Sequence, residues 1–131
     1  MAKYAYPAIF RKEEDGYAVE FPDISGCATC GATLPEAAAM AEDALCLYLF
    51  DCEEDGDTIP QPSDIKAIQA QTSDIASLIC CDTLEYRKLY NNKAVKKTLT
   101  IPAWLNTLAE RQGINFSTVL QNALKDQLSI Q

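Results

Sequence analysis

Three groups of residues in this chain have the types and spacing for chemistry. Lys96, Thr98 and Thr100 recur with a period of two, opposite Leu99 and Ile101, and Pro102 ends the pattern because it has no amide to donate. That is a strand with a basic face rich in short hydrogen-bonding side chains. Lysine reaches the acceptors of guanine, and threonine serves either base type or the thymine methyl, so the three residues are expected to touch base edges in a DNA groove. The plainer alternative is an exposed strand face with no ligand, but a two-stranded ribbon carrying such a face needs a reason to stay uncovered. Asn115, Ser117 and Thr118 open a helix. They serve as a cap and polar first turn, and the free amides there also suit a DNA phosphate, which fixes register without reading sequence.

The remaining candidates point away from catalysis. Cys27 and Cys30 have the spacing of half a zinc site or of a redox pair, yet a zinc site needs two more ligands and the chain has no histidine. Cys27 and Cys30 are expected to be inert, buried thiols, the cysteines at 46, 52, 80 and 81 lie in apparent core stripes or a fourth strand, and Cys80 and Cys81 point to opposite faces of that strand. Glu20 and Asp23 stand near a turn without the further carboxylates that two-metal hydrolysis requires. Without histidine the commonest general base and the Ser-His and Cys-His nucleophile pairs are also missing. No catalytic residue, metal or cofactor is expected.

Composition sets the partners. Residues 1 to 91 hold 6 Lys/Arg against 17 Asp/Glu, net −11, whereas residues 92 to 131 hold 5 against 2, net +3. Two regions of opposite sign imply two kinds of partner, and only the second can neutralise phosphates. No segment approaches the ~20 apolar residues of a membrane span, and the N-terminus lacks the basic-then-apolar pattern of an export signal, so a cytoplasmic protein with reduced thiols is expected.

The elements that must position these residues follow from local pattern. Tyr4 to Lys12 reads as a strand in which Pro7 marks a first residue or an edge. Asp15-Gly16 supplies the positive φ of a tight hairpin, and Tyr17, Val19 and Phe21 then alternate on one face. A turn at Ser25-Gly26 leads to a third strand, Cys27 to Ala32. Thr33 and Glu36 form a capping box for a helix over about 34 to 53, whose inward stripe is Ala37, Ala41, Ala44, Leu45, Tyr48 and Cys52. The acidic run from Asp51 to Asp57 reads as a solvated helix end rather than a basic-partner contact. Pro60 to Ser63 is an extended connector, Ser63 caps a short helix over 64 to 71, Ile75 to Asp82 is a fourth strand, and Asp82-Thr83 caps a helix through Tyr90.

After the linker Asn91-Asn92-Lys93, Pro102 is expected at the first position of a helix to Gln112, with Leu105, Leu108 and Ala109 facing inward and Gly113 as its stop. Asn115 caps a last helix striped by Phe116, Val119, Leu120, Ala123 and Leu124. Strand and two helices amount to fewer than the ~40 residues at which a core suffices, so a second copy is expected to supply the missing half.

Two resemblances then enter. Tyr6-Pro7-Ala8, Asp15-Gly16-Tyr17, Phe21-Pro22-Asp23, Gly26-Cys27-Ala28-Thr29, Gly31 and Thr33 to Ala37 resemble the HicB family of antitoxins. Lys97 to Pro102, Gly113-Ile114-Asn115-Phe116-Ser117 and Ala123-Leu124 resemble a ribbon-helix-helix DNA-binding domain. Cys30 departs from the Gln or Glu usual in the family. The resemblance implies an α+β chain: a β-β-β-α-β, partial ribonuclease-H-like toxin-binding domain at 1–90, and a ribbon-helix-helix domain at 91–131. It implies an antitoxin that neutralises a small basic HicA-like ribonuclease toxin and represses its own operon on double-stranded operator DNA, as a homodimer or higher even-numbered oligomer. The acidic surface suits a cover for a basic nuclease, with Glu13, Glu14, Asp15, Glu20 and Asp23 as candidate toxin contacts. A stand-alone dimeric repressor with a ligand-sensing N-terminal domain is the alternative.

Overall fold

The computed structural model describes residues 2–131, which fold as α+β with one four-stranded antiparallel sheet and five helices. They divide into two compact units, Met1–Lys93 and Ala94–Gln131.

In the first unit, β1 (Lys3–Glu13), β2 (Gly16–Glu20) and β3 (Ala28–Gly31) form a meander. After α1 (Leu34–Asp55) and α2 (Ile65–Ala70), β4 (Ile75–Asp82) returns to pair antiparallel with β1, giving the order β3-β2-β1-β4. The unit ends in α3 (Thr83–Tyr90). Pro7 therefore lies in an internal strand, not at an edge. The chain tolerates it because the β2 ladder begins only at Ile9 opposite Glu20, so that side of β1 is unpaired at residue 7. The hairpin also differs from expectation. Glu13 pairs with Gly16, leaving Glu14-Asp15 as the loop, and only Gly16 has positive φ, 143°. A Cβ on Gly16 would strike the carbonyl oxygen of Gly31, so glycine is required there for space as well as for conformation.

One face of the sheet packs on α1. Tyr6, Ala8, Phe10, Val19 and Ile79 meet Ala37, Ala41, Leu45 and Leu49, all buried. The alanines bring the helix close, and Gly31 lets it closer still, since a Cβ there would run into the α1 backbone at Ala37. Fully burying each leucine contributes roughly 1.5–3 kcal/mol. Thr33 caps α1 by accepting from Glu36 N at 3.3 Å, but the Glu36 carboxylate accepts from Ala32 N at 3.3 Å, one residue beyond the Thr33 amide of a true capping box. The α2 cap is Asp64, accepting from Lys66 N at 2.9 Å, because Ser63 is engaged elsewhere: its N and Oγ bind the Asp23 carboxylate at 2.8 and 2.5 Å. The Tyr6 hydroxyl donates to the Pro60 carbonyl, so one end of the proline connector is tied to β1 and the other, through Asp23, to the turn between β2 and β3.

In the second unit, α4 (Ala103–Arg111) starts after Pro102, which is the N-cap residue rather than the first helical one, and Gly113 turns the chain with φ 66°. Asn115 caps α5 (Phe116–Gln127) by accepting from Thr118 N at 3.1 Å. Neither helix contains a buried residue. Leu105, Leu108, Phe116, Val119 and Leu124, expected to face inward, are exposed in the single chain. The expected strand at Lys96–Ile101 carries no ladder either, because a strand exists only against a partner strand and this unit has none of its own.

Candidate functional site

In the second unit the extended run before α4, Asn106 of α4 and the face of α5 enclose a mainly apolar groove of about 500 Å³, lined by Leu99, Ile101, Phe116, Val119, Leu120 and Ala123 with Lys97, Asn106 and Ser117 as its polar members. Lys96, Thr98 and Thr100 do not line it and are fully open to solvent. Leu99 is 63% exposed although it lies against the groove. Such an area of uncovered leucine, isoleucine and phenylalanine on 38 residues leaves this unit without a core of its own. At the start of α5, Asn115 takes the amide of Thr118, and Ser117 sits beside it on an exposed first turn.

The five acidic candidates of the first unit do not converge. Glu13 ends β1 and Glu14 and Asp15 form the hairpin loop, all exposed, whereas Glu20 closes the far end of β2, about 13 Å of strand away. Glu20 pairs with Arg11 at 3.7 Å, and Arg11 also reaches Asp74 at 3.2 Å. Asp23 is spent on Ser63.

The acidic end of α1 is only partly a solvated terminus. Glu53 has a side chain 7% exposed and accepts from Tyr4 Oη at 2.9 Å, Thr83 Oγ1 at 2.9 Å and Arg87 Nη2 at 3.0 Å. Burial by itself would raise its pKa, but the hydrogen bonds it receives, those from Arg87, Tyr4 and Thr83 among them, hold it down to about 2. Burial, and then the bond to Glu53, push Tyr4 up to about 12. Arg87 also pairs with Glu54 and stacks 4.6 Å over the Phe50 ring. This cluster ties α1, α3 and β1 together. Sequence reasoning missed it because Glu53 looks like one more residue of a charge run; the Arg87 that balances it is 34 residues away.

The six cysteines are free. Cys27, Cys46, Cys52 and Cys81 are buried, and burial raises the pKa of Cys27, Cys46 and Cys81, which keeps them protonated. Cys30 and Cys80 are exposed; for Cys30 this is contrary to the expectation of a buried thiol. Each falls on the outer sheet face, which no long helix covers, and Cys80 points opposite to Cys81 as the strand period requires. Among the described residues no three His, Cys, Asp or Glu side chains are grouped to hold a metal, and no helix is long and apolar enough to cross a membrane.

Comparison with known proteins bears on these two units together. The family model described as "HicB_like antitoxin of bacterial toxin-antitoxin system" matches residues 6–123, spanning the sheet, α1 and both C-terminal helices. This chain belongs to the HicB-like antitoxin family. It is similar to Antitoxin HicB 2 of Photorhabdus laumondii, 31% identical over 121 residues, covering 91% of this chain and 87% of that one. Among solved structures it resembles the toxin-antitoxin complex from Streptococcus pneumoniae, with 32% identity and a TM-score of 0.61 over 95% of this chain and 99% of that chain. A chain of the HicA3 and HicB3 toxin-antitoxin complex matches at 25% identity and a TM-score of 0.50, covering 60% of this chain and 99% of its own length.

Proposed function

We propose that this HicB-like chain binds and neutralises a HicA-like ribonuclease toxin through its acidic first unit, and represses its own operon through a dimer of the second. Family membership across nearly the whole chain, with relatives solved as toxin-antitoxin complexes, carries the first half. The charge of the first unit suits the task, since an acidic surface steers a basic nuclease and covers its RNA-binding side. The second half is carried by the uncovered groove of the C-terminal unit. A second copy laid into it pairs the two Lys96–Ile101 segments as an antiparallel ribbon, buries Leu99, Ile101 and the α5 stripe, and leaves Lys96, Thr98 and Thr100 on the outer face. That is a ribbon-helix-helix arrangement, with a partial ribonuclease-H-like unit before it. Lys96, Thr98 and Thr100 contact base edges, while Asn115, Ser117 and Thr118 set the helix start against the phosphates. In this reading the chain assembles as a dimer or a higher even-numbered oligomer in the cytoplasm and catalyses no reaction.

The test separates the two activities. Lys96→Ala with Thr98→Ala is expected to abolish binding to the DNA upstream of its operon in a fluorescence anisotropy titration, while leaving dimerisation and rescue from the co-expressed toxin intact. Unchanged operator affinity refutes the ribbon assignment, and failure of the wild-type chain to relieve toxicity refutes the antitoxin.

A further inference from the structure

The acidic hairpin is not the surface best built to receive a protein. We propose that the open edge of β4, together with the acid-lined hollows beside it, takes an extended basic segment of the toxin as an added strand; this rests on the antitoxin reading above. β4 ends the sheet and pairs only with β1. The amide of Ala76 is taken by Gln69 Oε1 at 2.8 Å and so points away from β1. The two-residue period then turns the backbone groups of Leu78 and Cys80 to the same open edge, where no described residue bonds them. Beyond Ala76, where the Gln69 side chain occupies the edge, nothing in Ser77–Cys81 blocks an incoming strand: the stretch has no proline and no charge, and Leu78 is 50% exposed. The opposite edge, β3, is only four residues long, and α1 crowds its end at Gly31.

Charge selects the occupant. Two hollows of about 440 and 390 Å³ lie at the Cys80–Asp82 end of β4, the first reaching onto β1 at Lys3–Ala5 and the second between α1 and α3, and they share Glu42 and Asp82. Asp43 and Glu85 add to the second, over an apolar floor that includes Tyr86 and the exposed Leu89, and among the described residues Lys3 is the one cation lining either. A second copy pairing here would bring these same carboxylates towards its own, so like charges would oppose it. A cationic strand gains the free edge bonds, the carboxylates and the apolar floor together.

Hydrogen exchange of the full chain with and without purified toxin, followed at single amides, tests this directly. Toxin is expected to slow exchange at Leu78 and Cys80 by at least about ten-fold, and Glu42→Lys with Asp43→Lys, both on the exposed side of α1, to weaken toxin binding by at least about ten-fold. Reversing Glu13, Glu14 and Asp15 to lysine is expected to change it by less than about three-fold. Bound toxin with unchanged exchange at these two amides, or a larger loss from the hairpin variant than from the α1 variant, overturns the proposal while leaving the antitoxin reading intact. Protection that instead grows with the chain's own concentration in the absence of toxin assigns the edge to a second copy and overturns it equally. A toxin that fails to bind the wild-type chain at all refutes the antitoxin reading and the edge proposal together.

Discussion

Replacing Arg87 by methionine tests how the first unit is held together. Arg87 and Glu53 form an ion pair in which the arginine side chain is 15% exposed and the glutamate 7%. Removing one partner of a buried pair typically costs about 3–5 kcal/mol. Here Glu53 keeps the bonds from Tyr4 and Thr83, so the lower end applies, about 3 kcal/mol. For a unit of this size that lowers the melting temperature by roughly 12–24 °C. The acid limb provides a second magnitude. Glu53 has a folded-state pKa of about 2 against 4.5 for an unperturbed carboxyl. Its pKa is depressed by folding, so the stability it contributes is fully present above pH 4.5 and is lost as the pH falls towards 2, a change of about 3 kcal/mol. Glu53→Gln should flatten that limb. The double variant should be less destabilised than the sum of the two single changes, since both single changes remove the same Arg87–Glu53 pair. Far-ultraviolet circular dichroism during thermal and urea unfolding reads the first unit; Trp104, the one tryptophan, reports on the second. A loss below about 0.5 kcal/mol in Arg87→Met, with the acid limb unchanged in Glu53→Gln, would refute the cluster as the tie between α1, α3 and β1.

Two further outcomes follow from the packing. Gly31→Ala should destabilise the first unit by about 2–3 kcal/mol, because the added methyl meets the backbone of α1 and not a side chain that can turn aside; denaturant midpoints measure it, and a change within about 0.5 kcal/mol contradicts the close approach of α1 to β3. The second unit, with no buried residue in α4 or α5, should gain its stability from association. The unfolding midpoint followed by Trp104 fluorescence should therefore rise with protein concentration, and a concentration-independent midpoint would show that a single copy is sufficient.

The secondary structure was largely legible because it depends on local chemistry. The alternation of Tyr17, Val19 and Phe21, the Thr33 cap, the alanine stripe of α1, the return of Ile75–Asp82 and the Asn115 cap are each decided within a few residues. The change of charge sign near residue 91 is also purely a property of the sequence, and the chain divides into units close to it, after Lys93. The misses were of another kind. Ser63 lost the α2 cap to Asp64 because Asp23, 40 residues away, holds it. Pro7 reads as an edge residue until the β2 ladder is seen to begin two residues later. Cys30 is exposed because the sheet has a long helix on one face only, and alternation says that neighbouring residues differ without saying which side is covered.

The sequence by itself determined most of the elements and the two charge regimes, since propensity, capping and net charge act over short range and are summed directly from residue types. Only the tertiary structure decided that Glu53 is a buried partner of Arg87 and not part of a solvated run, that the five acidic candidates are scattered, and that β4 presents an open edge beside Glu42 and Asp82. Those are long-range pairings. Burial and strand order depend on which distant segments meet, and the energy of a carboxylate changes with what it faces far more than with its neighbours along the chain.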